Sequence, residues 1–227
     1  MTKKKRLSQF ELLRIMAMFL IVQAHSIGHG VLDISPSIQI THPLSTSISL
    51  TLGLGGIGVY IFVLISGYFL IDSHIKFEKV IRFWLPIFFW SIILFVSIGV
   101  PNNCFSIKNL IKSMFPILFN QYWFMTVYFV MYISVPLLNV VVKWLDSKKK
   151  IIYFMILGLI AFLGESPFLL GGPTQIGARI VTFYFIYCIG GLIRKYKLLQ
   201  NKSIVKKSNR SLLYLFGILN CQIKCNS

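Results

Sequence analysis

The sequence predicts an all-α, polytopic integral membrane helix bundle. Three observations predict it. The chain is 56% hydrophobic and only 13% charged over 227 residues, with a mean hydropathy of +0.76. A water-soluble domain is about 25% charged, so this chain has too little polar surface to cover a soluble globule. The uncharged stretches Pro43–Ile71, Phe83–Ile107 and Ser113–Val142 each exceed the roughly 20 apolar residues that cross a bilayer as a helix. The third observation is where the charge sits. Lysine and arginine number 23 against 6 acidic residues, for a net charge of +17, and they cluster between the apolar runs.

Six complete spans and the start of a seventh are expected. Helix 1 covers about 10–27, helix 2 about 50–71, helix 3 about 83–100 and helix 4 about 122–142. Helix 5 covers about 151–169, interrupted late by Glu165 and Pro167, and helix 6 about 178–193. A seventh begins at Ser211 and stops near Leu219 before a polar tail. An apolar run that short does not span a bilayer, so residues 1–227 read as one domain that is incomplete at its C-terminus.

Orientation follows from counting basic residues. Lys3–Arg6, the Lys76–Arg82 stretch, Lys143 with Lys148–Lys150, and the Arg194–Arg210 stretch hold 18 of them. The alternate loops hold two, Lys108 and Lys112. Basic loops stay cytoplasmic, which places the N-terminus inside and the protein in the plasma membrane as a multi-pass chain. A basic balance also raises nucleic acid as a partner, but charge confined to loops between apolar runs argues for the lipid bilayer instead. The apolar stretch after Met1–Arg6 is too long for a signal peptide and has no small-residue cleavage site. Cys104, Cys188, Cys221 and Cys225 show neither metal-ligand spacing nor a disulfide framework, so no metal site is expected.

Helix 1 carries the sharpest chemistry. Arg14 and His25 lie eleven positions apart, three turns plus about 20°, so they share one helix face roughly 16 Å apart along the axis. An ionisable residue inside a span is a functional candidate by default. The bland alternatives are a snorkelling Arg14 paired with Glu11 and an interfacial His25 satisfied by a neighbouring helix. The functional reading makes His25 a general base, since neutral imidazole takes a hydroxyl proton near pH 7. Arg14 then holds a phosphate or polarises a carbonyl. Together they point to group transfer from a cytoplasmic donor to an acceptor nearer the outer face. Gly53, Gly55 and Gly58 match G-x-G-x-x-G literally. The nucleotide-binding reading needs a preceding strand, and an uncharged membrane span supplies none, so these glycines read as helix-packing positions. Ser66-Gly67-Tyr68 follows on the same helix.

These segments together resemble the membrane acyltransferases of the acyltransferase-3 type. Arg14 to His25 is similar to that family's R-x10-H signature. Gly58-Val-Tyr-Ile-Phe-Val-Leu-Ile-Ser66-Gly67-Tyr68 resembles its second-helix segment, and Lys79-Val-Ile-Arg82-Phe-Trp-Leu-Pro86 its basic R-x-x-R stretch. Gln121-Tyr122-Trp123-Phe124 with Pro136-Leu137 resembles its later aromatic segment. The resemblance covers most of residues 7–195. Lys79 departs from the family pattern by replacing the first arginine, which keeps the charge but not the bidentate fork. Family members also carry more helices than this chain.

The resemblance implies acyl transfer, acetyl in the family, from cytoplasmic acetyl-CoA to hydroxyls of a surface polysaccharide or its lipid-linked precursor. Acetyl-CoA would be a donor substrate, with no resident cofactor. On this expectation His25 and Arg14 are catalytic, Lys79 and Arg82 bind the CoA phosphates, and Ser66, Gly67, Tyr68 and Trp123 line the channel. The lysine- and arginine-free loop 28–49 would meet the glycan. Two other readings stand beside it. A transporter or flippase subunit for a polar or lipid-linked sugar would also explain charges inside the membrane, with Glu165 and Arg179 as a polar site between helices 5 and 6. An inactive remnant would explain the short tail.

Overall fold

The computed structural model describes residues 8–32, 45–73, 75–99, 101, 106–164 and 176–198. These form eight α-helices: α1 (Ser8–His25), α2 (Ser45–Leu70), α3 (Phe77–Leu94), α4 (Ile107–Met114), α5 (Trp123–Ile133), α6 (Val135–Trp144), α7 (Lys148–Gly164) and α8 (Ile176–Lys195). No strand occurs among the described residues. Wider π-helical turns extend α1 over Ser26–Leu32 and α3 over Phe95–Gly99.

Among the described residues, four helical stretches are long and apolar enough to cross a membrane: Ser8–Gly30, Ser47–Leu70, Phe77–Gly99 and Ile176–Lys195. A fifth arises if α5 and α6 count as one broken span. The expected helix 5 corresponds to α7, which has 17 residues; its expected extension through Glu165 and Pro167, and the expected seventh helix, lie outside the described residues.

The single helix expected over 122–142 is corrected to two. The chain bends by 62° between α5 and α6. The local cause is Ser134 followed by Pro136, which cannot donate a backbone hydrogen bond and forces its neighbours out of a continuous helix. Ser134 partly compensates: its hydroxyl donates to the Val130 carbonyl and pairs with the Tyr184 hydroxyl on α8. The structure also adds α4, which the uncharged-run argument missed because Lys108 and Lys112 fall inside it.

The core lies where α2, α5, α6 and α8 meet. Val63, Val127, Met131, Val135, Val142, Phe183 and Tyr187 are fully buried there. Large apolar side chains of α1, α3 and α7, among them Phe19, Trp90 and Leu157, face outward, as a lipid-contacting surface requires. Small residues set the closest approaches. A Cβ at Gly67 would collide with the backbone carbonyl of Tyr187, and one at Gly190 with the backbone carbonyl of Leu64. The α2 and α8 backbones therefore touch at a reciprocal pair of glycines. Likewise Gly55 accommodates Ala24, and Gly58 lies where a Cβ would sit 2.7 Å from the Ala17 carbonyl oxygen, which seats α1 on α2.

Polar contacts close one end of the bundle. Tyr187 donates to Asn139 Oδ1 at 2.8 Å, and Asn139 Nδ2 donates to the Leu70 carbonyl at 3.1 Å. Arg194 donates to the Tyr68 carbonyl at 3.0 Å and pairs with Asp72 at 3.4 Å. Lys195 Nζ donates to the carbonyls of Val142, Lys143 and Leu145. Terminal carbonyls lack partners within their own helix, and cations beside them also meet the negative end of the helix dipole.

The glycine contact gives a sharp expectation. Gly67→Ala or Gly190→Ala should destabilise the protein by about 1–3 kcal/mol, because one backbone must retreat from another. Gly53→Ala, where a Cβ meets nothing within 4 Å, should leave stability unchanged within about 0.5 kcal/mol. Thermal unfolding of the three variants in one detergent checks the contrast.

Candidate functional site

Arg14 and His25 both flank the α1 face that packs on α2. Ala17, Ile21 and Ala24 make that packing, and the two polar residues sit beside it on the same side, about 20° apart around the axis. Arg14 lies near the N-terminal end of α1, half-exposed. Its guanidinium donates to Glu11 at 2.8 Å and stands over the Phe69 ring at 5.6 Å. The Glu11 pairing anticipated from the sequence is therefore present. Both partners are substantially exposed, so it is worth less than about 1 kcal/mol.

His25 is the last residue of α1, immediately before the π-helical turns. Single π turns within helices recur at functional sites. Its Nδ1 lies 2.8 Å from the Ile21 carbonyl oxygen. A carbonyl only accepts, so in this contact Nδ1 carries the proton. The second nitrogen, Nε2, is then the basic lone pair of the neutral ring. The side chain is exposed, and the His29 ring lies 5.7 Å away.

The Ser66-Gly67-Tyr68 segment divides its labour. Gly67 faces α8, as the collision with Tyr187 requires. Tyr68 stacks against Phe10 at 4.7 Å, and its ring lies 5.7 Å from the Arg194 guanidinium. Ser66 faces the other way: its hydroxyl lies 2.8 Å from the Phe62 carbonyl and 2.9 Å from the Tyr128 hydroxyl on α5.

Lys79 and Arg82 occupy the first two turns of α3, exposed, and their side chains make no hydrogen bond or ion pair to any described residue. The next side chain, Phe83, turns inward and stacks on Tyr128 at 5.4 Å and Tyr132 at 6.1 Å. Trp123 opens α5 at the opposite end of the bundle, with the Arg179 guanidinium 4.2 Å from its ring and Phe183 at 6.5 Å. The structure thus separates the candidates into two groups. Arg14, Ser66, Tyr68, Lys79 and Arg82 belong to the end where α2 stops and α3 starts. His25 and Trp123 belong to the other.

A family model described as an acyltransferase domain matches residues 7–221. The chain belongs to the acyltransferase-3 family. No curated protein and no solved structure matches it. With its apolar helices, the family makes this chain a membrane acyltransferase.

Three residues outside the expected acyltransferase site sit against the candidates; one of them, Arg179, entered the sequence reading only with Glu165, as the polar site of a transporter. Tyr128 bonds Ser66, His29 stacks near His25, and Arg179 covers Trp123. The third has a sequence signal, a cation within an apolar segment. The first has none, because its partner is 62 residues away. No group of three or more histidine, cysteine or carboxylate side chains able to hold a metal occurs among the described residues. Cys188 is buried; Cys104, Cys221 and Cys225 lie outside the described residues, as do Glu165, Pro167 and most of the 28–49 loop.

Since the Lys79 and Arg82 side chains hold no described residue in place, Lys79→Ala and Arg82→Ala should unfold within about 0.5 kcal/mol of the parent. A large loss of thermal stability in detergent would instead assign these side chains a structural task.

Proposed function

We propose that the protein transfers an acyl group, acetyl by preference, from cytoplasmic acyl-CoA to a hydroxyl of a surface polysaccharide or its lipid-linked precursor. The family supports acyl transfer. The observation that carries the finer reading is His25, whose Nδ1–H is occupied by Ile21 while Nε2 bonds no described residue, on the same helix flank as Arg14. An imidazole fixed in this tautomer is a base with one defined direction of attack.

The proposed orientation puts the N-terminus in the cytoplasm of a cell whose plasma membrane holds the chain. Lys76, Lys79, Arg82, Lys143, Lys148–Lys150, Arg194, Lys195 and Lys197 then lie on the cytoplasmic side, where basic residues accumulate. Lys79 and Arg82 would meet the phosphates of CoA at that face, an exposed and salt-sensitive attraction. Arg14 would direct the arm and its thioester along the α1–α2 flank.

In the transfer step, His25 Nε2 takes the proton of the acceptor hydroxyl as its oxygen attacks the thioester carbonyl carbon. The new C–O bond forms and the C–S bond breaks. The departing CoA thiolate recovers the proton from the imidazolium, so the protein returns to its starting state and no redox partner is needed. The acceptor would approach from the end of the bundle that holds His25 and Trp123.

Mass spectrometry of surface glycans tests this in a host lacking its own O-acetyltransferase. The parent chain should add acetyl increments. His25→Ala, at matched membrane level, should reduce them by about 100-fold or more, the usual contribution of a general base. Equal acetylation by both would remove His25 from the chemistry. Movement of a sugar across the membrane with no acetylated product would replace the proposal with transport.

A further inference from the structure

His25 and His29 bring two imidazoles together at the end of α1. They stand four positions apart, and the π-helical turns begin at Ser26, between them. Both side chains are exposed. Their ring centres lie 5.7 Å apart with the planes tilted by 40°. Two histidines four apart on a helix share one face, the spacing with which helical zinc sites hold their ion.

The separation matches metal geometry. A zinc ion sits about 2.0–2.1 Å from an imidazole nitrogen, and so about 3.2 Å from the ring centre. Two rings on one ion then have centres about 5.2 Å apart at the tetrahedral angle and about 6.4 Å apart in line. The observed 5.7 Å falls inside this interval.

The hydrogen bond of His25 is the second indication. Metal-bound histidines almost always donate their other ring N–H to a carbonyl, a carboxylate or water, which fixes the tautomer and keeps the remaining nitrogen as a lone-pair donor. Nδ1 of His25 makes that bond to the Ile21 carbonyl at 2.8 Å, so Nε2 is the ligand atom. His29 has two ring nitrogens and needs only one for an ion. Imidazoles suit zinc, copper and nickel, not magnesium or calcium, which take oxygen ligands.

We propose that His25 Nε2 and one nitrogen of His29 chelate a single transition-metal dication, zinc above all, with water completing its coordination. The inference rests on the reading of His25 as the base and adds a means of regulating it. The lone pair that accepts the hydroxyl proton is the one the ion takes, so His25 cannot serve both. Bound zinc is therefore an inhibitor, drawn from the aqueous phase at the end of the bundle that holds His25 and Trp123. One imidazole alone holds zinc weakly; the second gains because the first already keeps the ion beside it.

Calorimetric titration of the full chain in lipid nanodiscs, free of any histidine tag, tests the site with Zn²⁺ alone as probe. His25→Ala and His29→Ala should each weaken zinc binding by about 100-fold, with little further loss in the double variant. Cu²⁺ at one equivalent adds a signature: electron paramagnetic resonance should show nitrogen couplings from two imidazoles in the parent and no longer two in either variant. His29 is exposed, so His29→Ala should keep its fold and decides the matter if His25→Ala does not. Unchanged zinc affinity in His29→Ala, or copper held by a single imidazole in the parent, overturns the chelate. A parent that takes up no zinc at micromolar concentrations overturns it too. In isolated membranes, free zinc at about ten times its Kd should leave about a tenth of the parent's acetylation, by mass action, and should inhibit His29→Ala far less. If zinc binds through both histidines and acetylation continues undiminished, the inhibitory role falls and the base reading of His25 falls with it. A failed chelate with normal acetylation leaves that base reading standing.

Discussion

The close crossing of α2 and α8 is the constraint on which the other contacts depend. Without a hydrophobic drive between helices in lipid, association rests on van der Waals fit and on polar groups that find each other. Gly67 and Gly190 provide the fit by letting each backbone reach the other's carbonyl. Once α2 is pinned at Gly67, its neighbours in sequence have no choice of direction. Ser66 turns to α5, and Tyr68 turns to α1 and to Arg194. A three-residue segment thus joins four helices, with its glycine as the fixed point.

The seam between α1 and α2 follows the same logic with less area. Ala17 and Ala24 oppose Gly58 and Gly55, so the two helices approach closely while the remaining α1 surface stays apolar and outward. Arg14 and His25 sit at the margin of this seam. Their placement reconciles two demands: a polar group in a membrane must be near protein or water, and a reactive group must remain reachable. Arg14 satisfies the first through Glu11 and the Phe69 ring, and His25 through its own backbone at Ile21. Neither is sealed in the core.

Much of this was legible in the sequence, and the parts that were not have physical reasons. Long uncharged runs marked α2, α3 and the stretch that holds α5 and α6, because the bilayer demands a minimum apolar length whatever the neighbours do. Helix periodicity alone put Arg14 and His25 on one flank. Hydropathy did not reveal the break at Ser134, since Pro136 and its neighbours are as apolar as a continuous span. The two lysines of α4 hid a helix that a transmembrane criterion is not built to see. The tautomer of His25 and the Ser66–Tyr128 pair were beyond reach. Each depends on where a particular carbonyl or hydroxyl stands after packing, and the Ser66 partner comes from a distant stretch of chain. Gly67 was read as one of several channel-lining residues, whereas its first task in the structure is steric.

The caps at the end of α8 have a consequence for how the chain reaches its fold. The side of the bilayer on which a segment settles is decided during insertion, largely by lysine and arginine. In the orientation proposed above Arg194 and Lys195 belong to that sorting signal, and they also close the carbonyl ends of α2 and α6. The caps form only when the C-terminal ends of all three helices have arrived on the same side. An inverted α8 would carry its two cations to the opposite end of the bundle and leave the carbonyls of two other helices open. The finished bundle therefore proofreads its own biogenesis: the same two side chains that vote on topology lock in the result only when the vote was correct.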